Sequence, residues 1–583
     1  MLPSKRTLIA TSVLIATMGL TGCGGGSSSS SNPDPVDPPV TNSAPTDIAL
    51  SNNEVSENMA AADIGELSAT DSDSGETFTY SVDDDRFAVS GNMLSLAADT
   101  ALDYETDATV DINVTVTDSG SATFTKAFTI NVADVLEPPM TYNFESQFSA
   151  DSSVSYTGQI ARHALIVELF SYIGSNLRAD VLGEVITSRA DVITKLHSYY
   201  LITPEEYDEV YGDRGLSIST TPGIKQTTLK QISSSHKDLQ GKIAGSDEVG
   251  QHKDWTTALV GWNDAGSVTP DGLAQHLIEK IADNVQVYLD GDKRFDPFGN
   301  EITEFYLTED GRDLNQLLQK FLHGAVSFSQ ATDDYLDDDI AGKGLQSDNT
   351  GADGEKAYTK LEHQFDEGYG YFGAARNYNE YTDDEVAAKG GRDDWQKYHD
   401  TDADGMIDLA AEYNFGNSTN ASKRDRGTAD KTNPTDFSKT VFDAFLMGRA
   451  IISDAGGALT DEQMTALQAQ RDIIVLNWEK AISATVVHYI NDSIADLDKI
   501  GTEDFSYSDL AKHWSEMKGF ALNFQFNPRS PVTAEQFAQV HQLMGMAPVM
   551  NADGIEAYKA SLIEARDILQ AAYEFDAENV ADW

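Results

Sequence analysis

The hydrophobic period changes once along the 583 residues, close to residue 140, and that change commits the chain to two units of different class. Before it, Val110, Ile112, Val114 and Val116 alternate with Asp111, Asn113, Thr115 and Thr117, the period-two pattern of a strand with one buried face. Phe124, Phe128, Ile130 and Val132 repeat it after Ser119-Gly120-Ser121, and further runs lie at 46–51, 64–70, 78–82 and 87–96. About seven short strands within residues 44–137 predict a two-sheet sandwich. After the change, apolar residues return every three or four positions, as in Ile555, Tyr558, Leu562, Ile568, Leu569 and Ala572. Similar runs at 159–177, 184–201, 272–289, 314–335, 356–375, 437–452, 461–497 and 507–524 predict a bundle of eight or more helices across 141–583. The expected fold is multidomain: a small all-β sandwich followed by a large all-α helical bundle domain.

Charge limits what these units bind. Asp and Glu number 95 against 40 Lys and Arg, a net charge of −55. Nucleic-acid phosphates and anionic lipid heads call for clustered basic residues, so no nucleic-acid partner is expected. Solvated acidic surfaces or many bound cations fit better. A single cysteine excludes a disulfide framework, cysteine-type zinc fingers and iron–sulfur clusters.

Lys5 and Arg6 precede an apolar stretch at 8–20, shorter than the roughly 20 residues of a membrane span and suited to a signal peptide. It ends in Leu20-Thr21-Gly22-Cys23, which resembles the bacterial lipobox. The resemblance implies removal of residues 1–22, lipidation of Cys23, and a membrane partnership through that anchor. The alternative is ordinary secretory cleavage that leaves a free cysteine. Gly24 after the cysteine is similar to an outer-membrane sorting signal, with the periplasmic or surface face left open. Residues 23–43, rich in Gly, Ser and Pro, read as a tether.

The β-unit holds 19 acids against two bases in residues 44–137, a density that repels itself unless hard cations neutralise part of it. The acids stand in Ser56-Glu57-Asn58, Thr70-Asp71-Ser72-Asp73, Leu102-Asp103-Tyr104-Glu105, Asp118 and Asp134-Val135-Leu136-Glu137-Pro138-Pro139. In that order they resemble a bacterial cadherin-type repeat. The resemblance implies that Glu57, Asp103, Glu105 and Asp134 hold Ca²⁺ at the far end, and Asp71, Asp73 and Asp118 at the near end. Leu136 stands where the family linker often has Asn, and a lone repeat leaves each end with an incomplete ligand set. The implied role is to stiffen the joint to the next domain; a solvated acidic face is the alternative.

In the helical region, Asp400-Thr401-Asp402-Ala403-Asp404-Gly405-Met406-Ile407-Asp408 reproduces the first nine positions of an EF-hand loop. Asp400, Asp402 and Asp404 would wrap a calcium ion, Gly405 would permit the sharp turn, and the Met406 carbonyl would point inward. Position twelve is Ala411, so Asp408 or Glu412 is expected to close the shell of the loop at 400–412. His363 with Glu367 and His513 with Glu516 stand at helical spacings that suit a metal or ligand pocket, although such pairs more often make ordinary hydrogen bonds. Asp443, Arg449, Arg424 and Asp425 read equally well as buried ion pairs.

The segments at 321–328, 362–373, 423–425 and 513–516 resemble a family of bacterial lipoproteins called domain of unknown function 4856, over nearly all of 141–583. That family is similar in style to imelysin-like helical proteins, which carry G-x-H-x-x-E and are associated with iron acquisition. Here Ala511 replaces the glycine, leaving His513 and Glu516. The expected function is that of a calcium-binding outer-membrane lipoprotein of the cell envelope. Its helical domain would bind a ligand without catalysis, with iron or an iron carrier as the implied cargo. The alternatives are a calcium-dependent adhesive or structural surface protein that meets an envelope or cell-surface protein partner, and an imelysin-like metallopeptidase. No H-E-x-x-H motif occurs to support the last.

Overall fold

The computed structural model describes residues 41–246, 251–262 and 268–583. The segment expected to be a signal peptide, Cys23 and the expected tether up to residue 40 lie outside the described residues. The chain divides after Val135 into two compact units, each described by itself.

The first unit is a sandwich of two four-stranded sheets. Its strands are β1 (Asp47–Leu50), β2 (Glu54–Ser56), β3 (Asp63–Thr70), β4 (Thr79–Val82), β5 (Phe87–Ser90), β6 (Met93–Leu96), β7 (Thr109–Thr117) and β8 (Thr123–Ala133). One sheet runs β1-β3-β6-β5 and the other β2-β8-β7-β4, with β2 parallel to β8. The alternation in β7 does what its period requires: Val110, Ile112, Val114 and Val116 are buried beside Ile48, Leu67, Leu94 and Ile130. Two differences from the expected strands have local causes. The run at 87–96 breaks into a hairpin because Gly91 adopts a positive φ of 64°. β2 carries only three residues, too few to display a period.

The second unit is helical. The helices that position its polar interior are α1 (Thr157–Ser171), α2 (Leu314–Leu322), α3 (Lys360–Phe372), α4 (Gly416–Thr428), α5 (Phe437–Asp454), α6 (Asp461–Lys499) and α7 (Tyr507–Ala521). The 39 residues of α6 span about 58 Å at 1.5 Å per residue and pack along α4, α5 and α7. A capping box of Thr460 and Gln463 starts it by satisfying backbone N–H groups that have no partner within the helix. The stretch expected as one helix at 314–335 is α only to Leu322. It continues as wider π-helical turns at His323–Phe328 and Ala331–Tyr335, all buried. α4 was not expected. Its inward face carries Asn417, Ser418, Ser422, Arg424, Asp425 and Thr428, so no apolar stripe announces it.

α3 and α5 meet over a fully buried guanidinium. Arg449 donates to Asp366 at 3.0 Å, Glu362 at 2.9 Å and Ser153 Oγ at 2.7 Å. Asp366 also accepts from the Tyr142 hydroxyl at 2.9 Å and the Ser155 N–H at 2.9 Å. Glu362 is at the same time the capping-box residue of α3, accepting from the Thr359 N–H at 2.7 Å. Of the four charged residues read as candidates for buried pairs, Arg449 is one. Asp425 instead accepts from the N–H groups of Phe437 and Ser438 at the start of α5, and Asp443 accepts from Asn379. Replacing Arg449 with Ala strands two buried carboxylates, and the helical unit is expected to lose about 3–5 kcal/mol, measurable by urea denaturation of the full chain.

Candidate metal centres

In the β-unit the Glu57, Asp103 and Glu105 carboxylates each bring an oxygen within 4.8 Å of the others. The centre is built from its backbone. Glu57 follows β2 and is 1% exposed. Its two oxygens accept from the Tyr104 N–H at 2.8 Å and the Val135 N–H at 2.7 Å, which spends one lone pair on each. Asp103 accepts from the Glu105 N–H at 3.0 Å and the Thr106 hydroxyl at 2.8 Å, which turns Glu105 back toward Glu57. A backbone hydrogen bond pulls the Glu105 pKa down, but desolvation, the charge of Glu57, the hydrogen bond with the Asp103 side chain and the charge of Asp134 outweigh it and leave it raised. Three hard oxygen donors crowded beyond mutual comfort fit a divalent ion such as calcium, with water or further oxygens filling a shell of 6–8.

At the other set, Asn42 and Ser43 lie over the acids. Asn42 donates to Asp118 at 3.0 Å and the Ser43 N–H to Asp73 at 2.6 Å. Asp71 accepts from the Asp73 N–H at 2.9 Å, while its second oxygen is buried without a partner. A buried carboxylate oxygen without a partner can accept from or ligate a further group, but Asp71, Asp73 and Asp118 do not converge as Glu57, Asp103 and Glu105 do.

In the helical unit Asp400, Asp402 and Asp404 converge within 4.8 Å. Gly405 has φ +84°, the left-handed turn that glycine reaches without steric cost. The turn lets Asp400 accept from the N–H groups of Asp404 at 3.1 Å and Gly405 at 2.9 Å. The loop is tied down on both sides. Ile407 exchanges backbone hydrogen bonds with Gly223 and Lys225, and the Ala411 carbonyl accepts from the Arg376 N–H at 2.7 Å. Asp408 and Glu412 are not gathered into the acid cluster. Asp408 accepts from Gln226 and from the Ala410 N–H, both at 2.9 Å or less. Glu412 accepts from the Thr401 N–H at 2.7 Å and the Asp408 N–H at 2.8 Å, bracing the loop across its width. Met406 contributes a backbone that accompanies the turn, its N–H given to Asp404 at 2.9 Å. Lys225, which the sequence did not single out, pairs with Asp404 at 2.9 Å and holds its carboxyl below the usual range. An incoming cation competes with that ammonium.

The histidine pairs part company. His363 lies 3.9 Å from Glu367, stacks on Tyr358 and contacts the Ser155 carbonyl at 3.0 Å, while Glu367 accepts from Gln159 at 2.7 Å. His513 turns to α6, its Nδ1 2.7 Å from Asp496, whereas Glu516 turns to Lys320 of α2 at 3.2 Å. Among the described residues, no histidine joins a group of three ligating side chains.

Burial alone would push His513 down, but its hydrogen bond to Asp496 and the charges of Asp492 and Asp496 prevail and hold its pKa above the ordinary value. A raised folded-state pKa gives stabilisation that is complete below the unfolded value of about 6.5 and lost as pH rises through the folded one. His513→Ala is therefore expected to cost more stability at pH 6 than at pH 9, and NMR titration of the His513 ring should give a midpoint above 6.5.

Residues 291–556 match the model of a family described as a domain of unknown function, DUF4856. The crystal structure of the Protocadherin GammaB4 extracellular domain is similar to the chain at 20% identity. It covers 18% of this chain and 18% of that one, so the chain spans under a fifth of that structure's length, with a TM-score of 0.15. No curated protein matches. The two-sheet sandwich follows from this chain's own strand pairing, and the residues that match the DUF4856 model lie within the helical unit.

Proposed function

We propose that this protein is a calcium-binding lipoprotein of the outer membrane, a non-catalytic binding protein of the cell envelope held to the membrane through Cys23. The observation that supports calcium is the same in both units. Three carboxylates, held by hydrogen bonds from loop N–H groups, bring one oxygen each within 4.8 Å of the others. Carboxylate oxygens without imidazole or thiolate partners suit Ca²⁺ over transition metals. The ion offsets repulsion that the hydrogen bonds alone leave in place, and so favours the folded loops over their open forms. With −55 charges on the chain, cation binding also relieves self-repulsion at longer range.

Calcium at about 100 times its dissociation constant is expected to stabilise each centre by about 2.7 kcal/mol relative to chelator. Differential scanning calorimetry of the full chain reads this as a rise in melting temperature. In the E57Q/D103N variant the rise should vanish from the transition of the β-unit, and in D402N/D404N from that of the helical unit. Identical melting in calcium and chelator would remove the reading. The anchor is tested separately: Cys23→Ser is expected to move the protein from the membrane fraction to the soluble one, as followed by immunoblotting.

A further inference from the structure

Between the acidic loop at 400–412 and the segment that follows α3, the helical unit holds a cavity of about 430 Å³. Backbone hydrogen bonds fix its walls against each other. The Arg376 N–H donates to the Ala411 carbonyl at 2.7 Å, and the Arg376 carbonyl accepts from the Tyr142 N–H at 2.7 Å, which brings Asn143 to the rim. Among the described residues of the lining, Ala411 alone is apolar. A site of this volume suits a small molecule, and a lining of this kind suits a polar one.

The lining is rich in acceptors. Glu380, Asp402, Asp408 and Glu412 face a single guanidinium, that of Arg376. Arg376 is already engaged, its Nε donating to the Tyr156 hydroxyl at 3.1 Å and its Nη1 to Asn143 at 3.2 Å. Glu412 is spent as well, since both of its oxygens accept from loop N–H groups. The other three acids each hold the fold with one oxygen. Asp402 accepts from the Asp404 N–H, Asp408 from Gln226 and the Ala410 N–H, and Glu380 from Asn377. Among the described residues the second oxygen of each accepts no hydrogen bond. His399 also lines the cavity, with Nδ1 3.1 Å from the Asp394 carbonyl; a neutral ring that donates there keeps Nε2 as one more acceptor.

A second, independent feature points the same way. Asn377 is more than nine-tenths buried and lines the cavity, and its Oδ1 has no hydrogen-bond partner. A buried acceptor left unmatched is costly, and a donor on a bound ligand would satisfy it. A single metal ion does not suit these groups. In this loop the three acids that converge within 4.8 Å are Asp400, Asp402 and Asp404, and neither Glu380 nor Asp408 joins them. Acids spread around a cavity call for positive charges spread in the same way. An ammonium group donates three hydrogens and accepts none, which matches a wall of acceptors.

We propose that this cavity binds a small aliphatic amine that carries two or more ammonium groups. Glu380, Asp402 and Asp408 receive the ammonium groups through their unused oxygens, and Asn377 Oδ1 accepts a hydrogen from one of them. These are charge-assisted hydrogen bonds in a partly enclosed site, where they are stronger than on open surface. Asp402 borders both this cavity and the acid triad, so the test is run in chelator and stands apart from the calcium reading.

Isothermal titration calorimetry of the full chain tests it, with putrescine, spermidine and the monoamine butylamine in about 0.15 M sodium chloride, which screens general attraction to the anionic surface. Saturable binding of putrescine or spermidine at one site is expected, with butylamine weaker. Glu380→Gln and Asp408→Asn each remove one charge and keep the oxygen that the fold uses, so both should melt as the parent does without amine. Each should weaken the amine about threefold to fivefold, and the two together about tenfold or more. Glu503→Gln, an exposed acid away from the cavity lining, should leave affinity unchanged. Three results would each overturn the proposal: heat no different from that of added sodium chloride, equal weakening by Glu503→Gln, or butylamine binding as tightly as the diamine.

Discussion

A single guanidinium, that of Arg449, sits without solvent contact at the junction of α3, α5 and the segment that leads into α1. Two carboxylates face it, and one of them, Glu362, also caps its own helix. The arrangement makes helix initiation, helix packing and charge burial one event, since each supplies hydrogen bonds that the others need. Asp366 shows the balance: burial raises its pKa, while Arg449, the Ser155 N–H and Tyr142 oppose that rise. A buried network of this kind is stable only when every member is satisfied. Around it Tyr142, Tyr156 and Tyr369 stack and meet edge to face, which fixes the approach of the 142–156 segment to α3.

The protein manages its large negative charge in two ways that follow from one electrostatic rule. Where acids lie on open surface, water solvates them. Where loops force acids together, as at Glu57, Asp103 and Glu105 or at Asp400, Asp402 and Asp404, backbone N–H groups share the charge and leave a place for a cation.

Much of the first unit was legible because its information is local. Four valines and isoleucines at alternate positions in β7 bury one face whatever the rest of the chain does. The acidic loop at 400–412 was legible for the same reason, its three acids and its glycine lying within six residues. Its closure was not. Asp408 and Glu412 stand at suitable spacings, but Gln226, Thr401 and the backbone of 408–410 claim their oxygens, and Gln226 arrives from nearly two hundred residues away. The helix α4 escaped notice because periodicity reports apolar faces, and this helix buries asparagine, serine, arginine and aspartate.

His513 and Glu516 show where spacing stops being informative. Three residues apart on α7 they share a helical face, as expected, yet one side chain finds Asp496 on α6 and the other Lys320 on α2. Residue order alone determined the change of class near residue 140, the strands, most of the helices and the two acidic loops, because hydrophobic period and loop chemistry act over a few residues. Tertiary structure alone decided which charges were buried together, since Arg449 of α5 meets Glu362 and Asp366 of α3. Their meeting is a property of helix packing, in which a side chain's partner is set by the neighbouring helix rather than by its own.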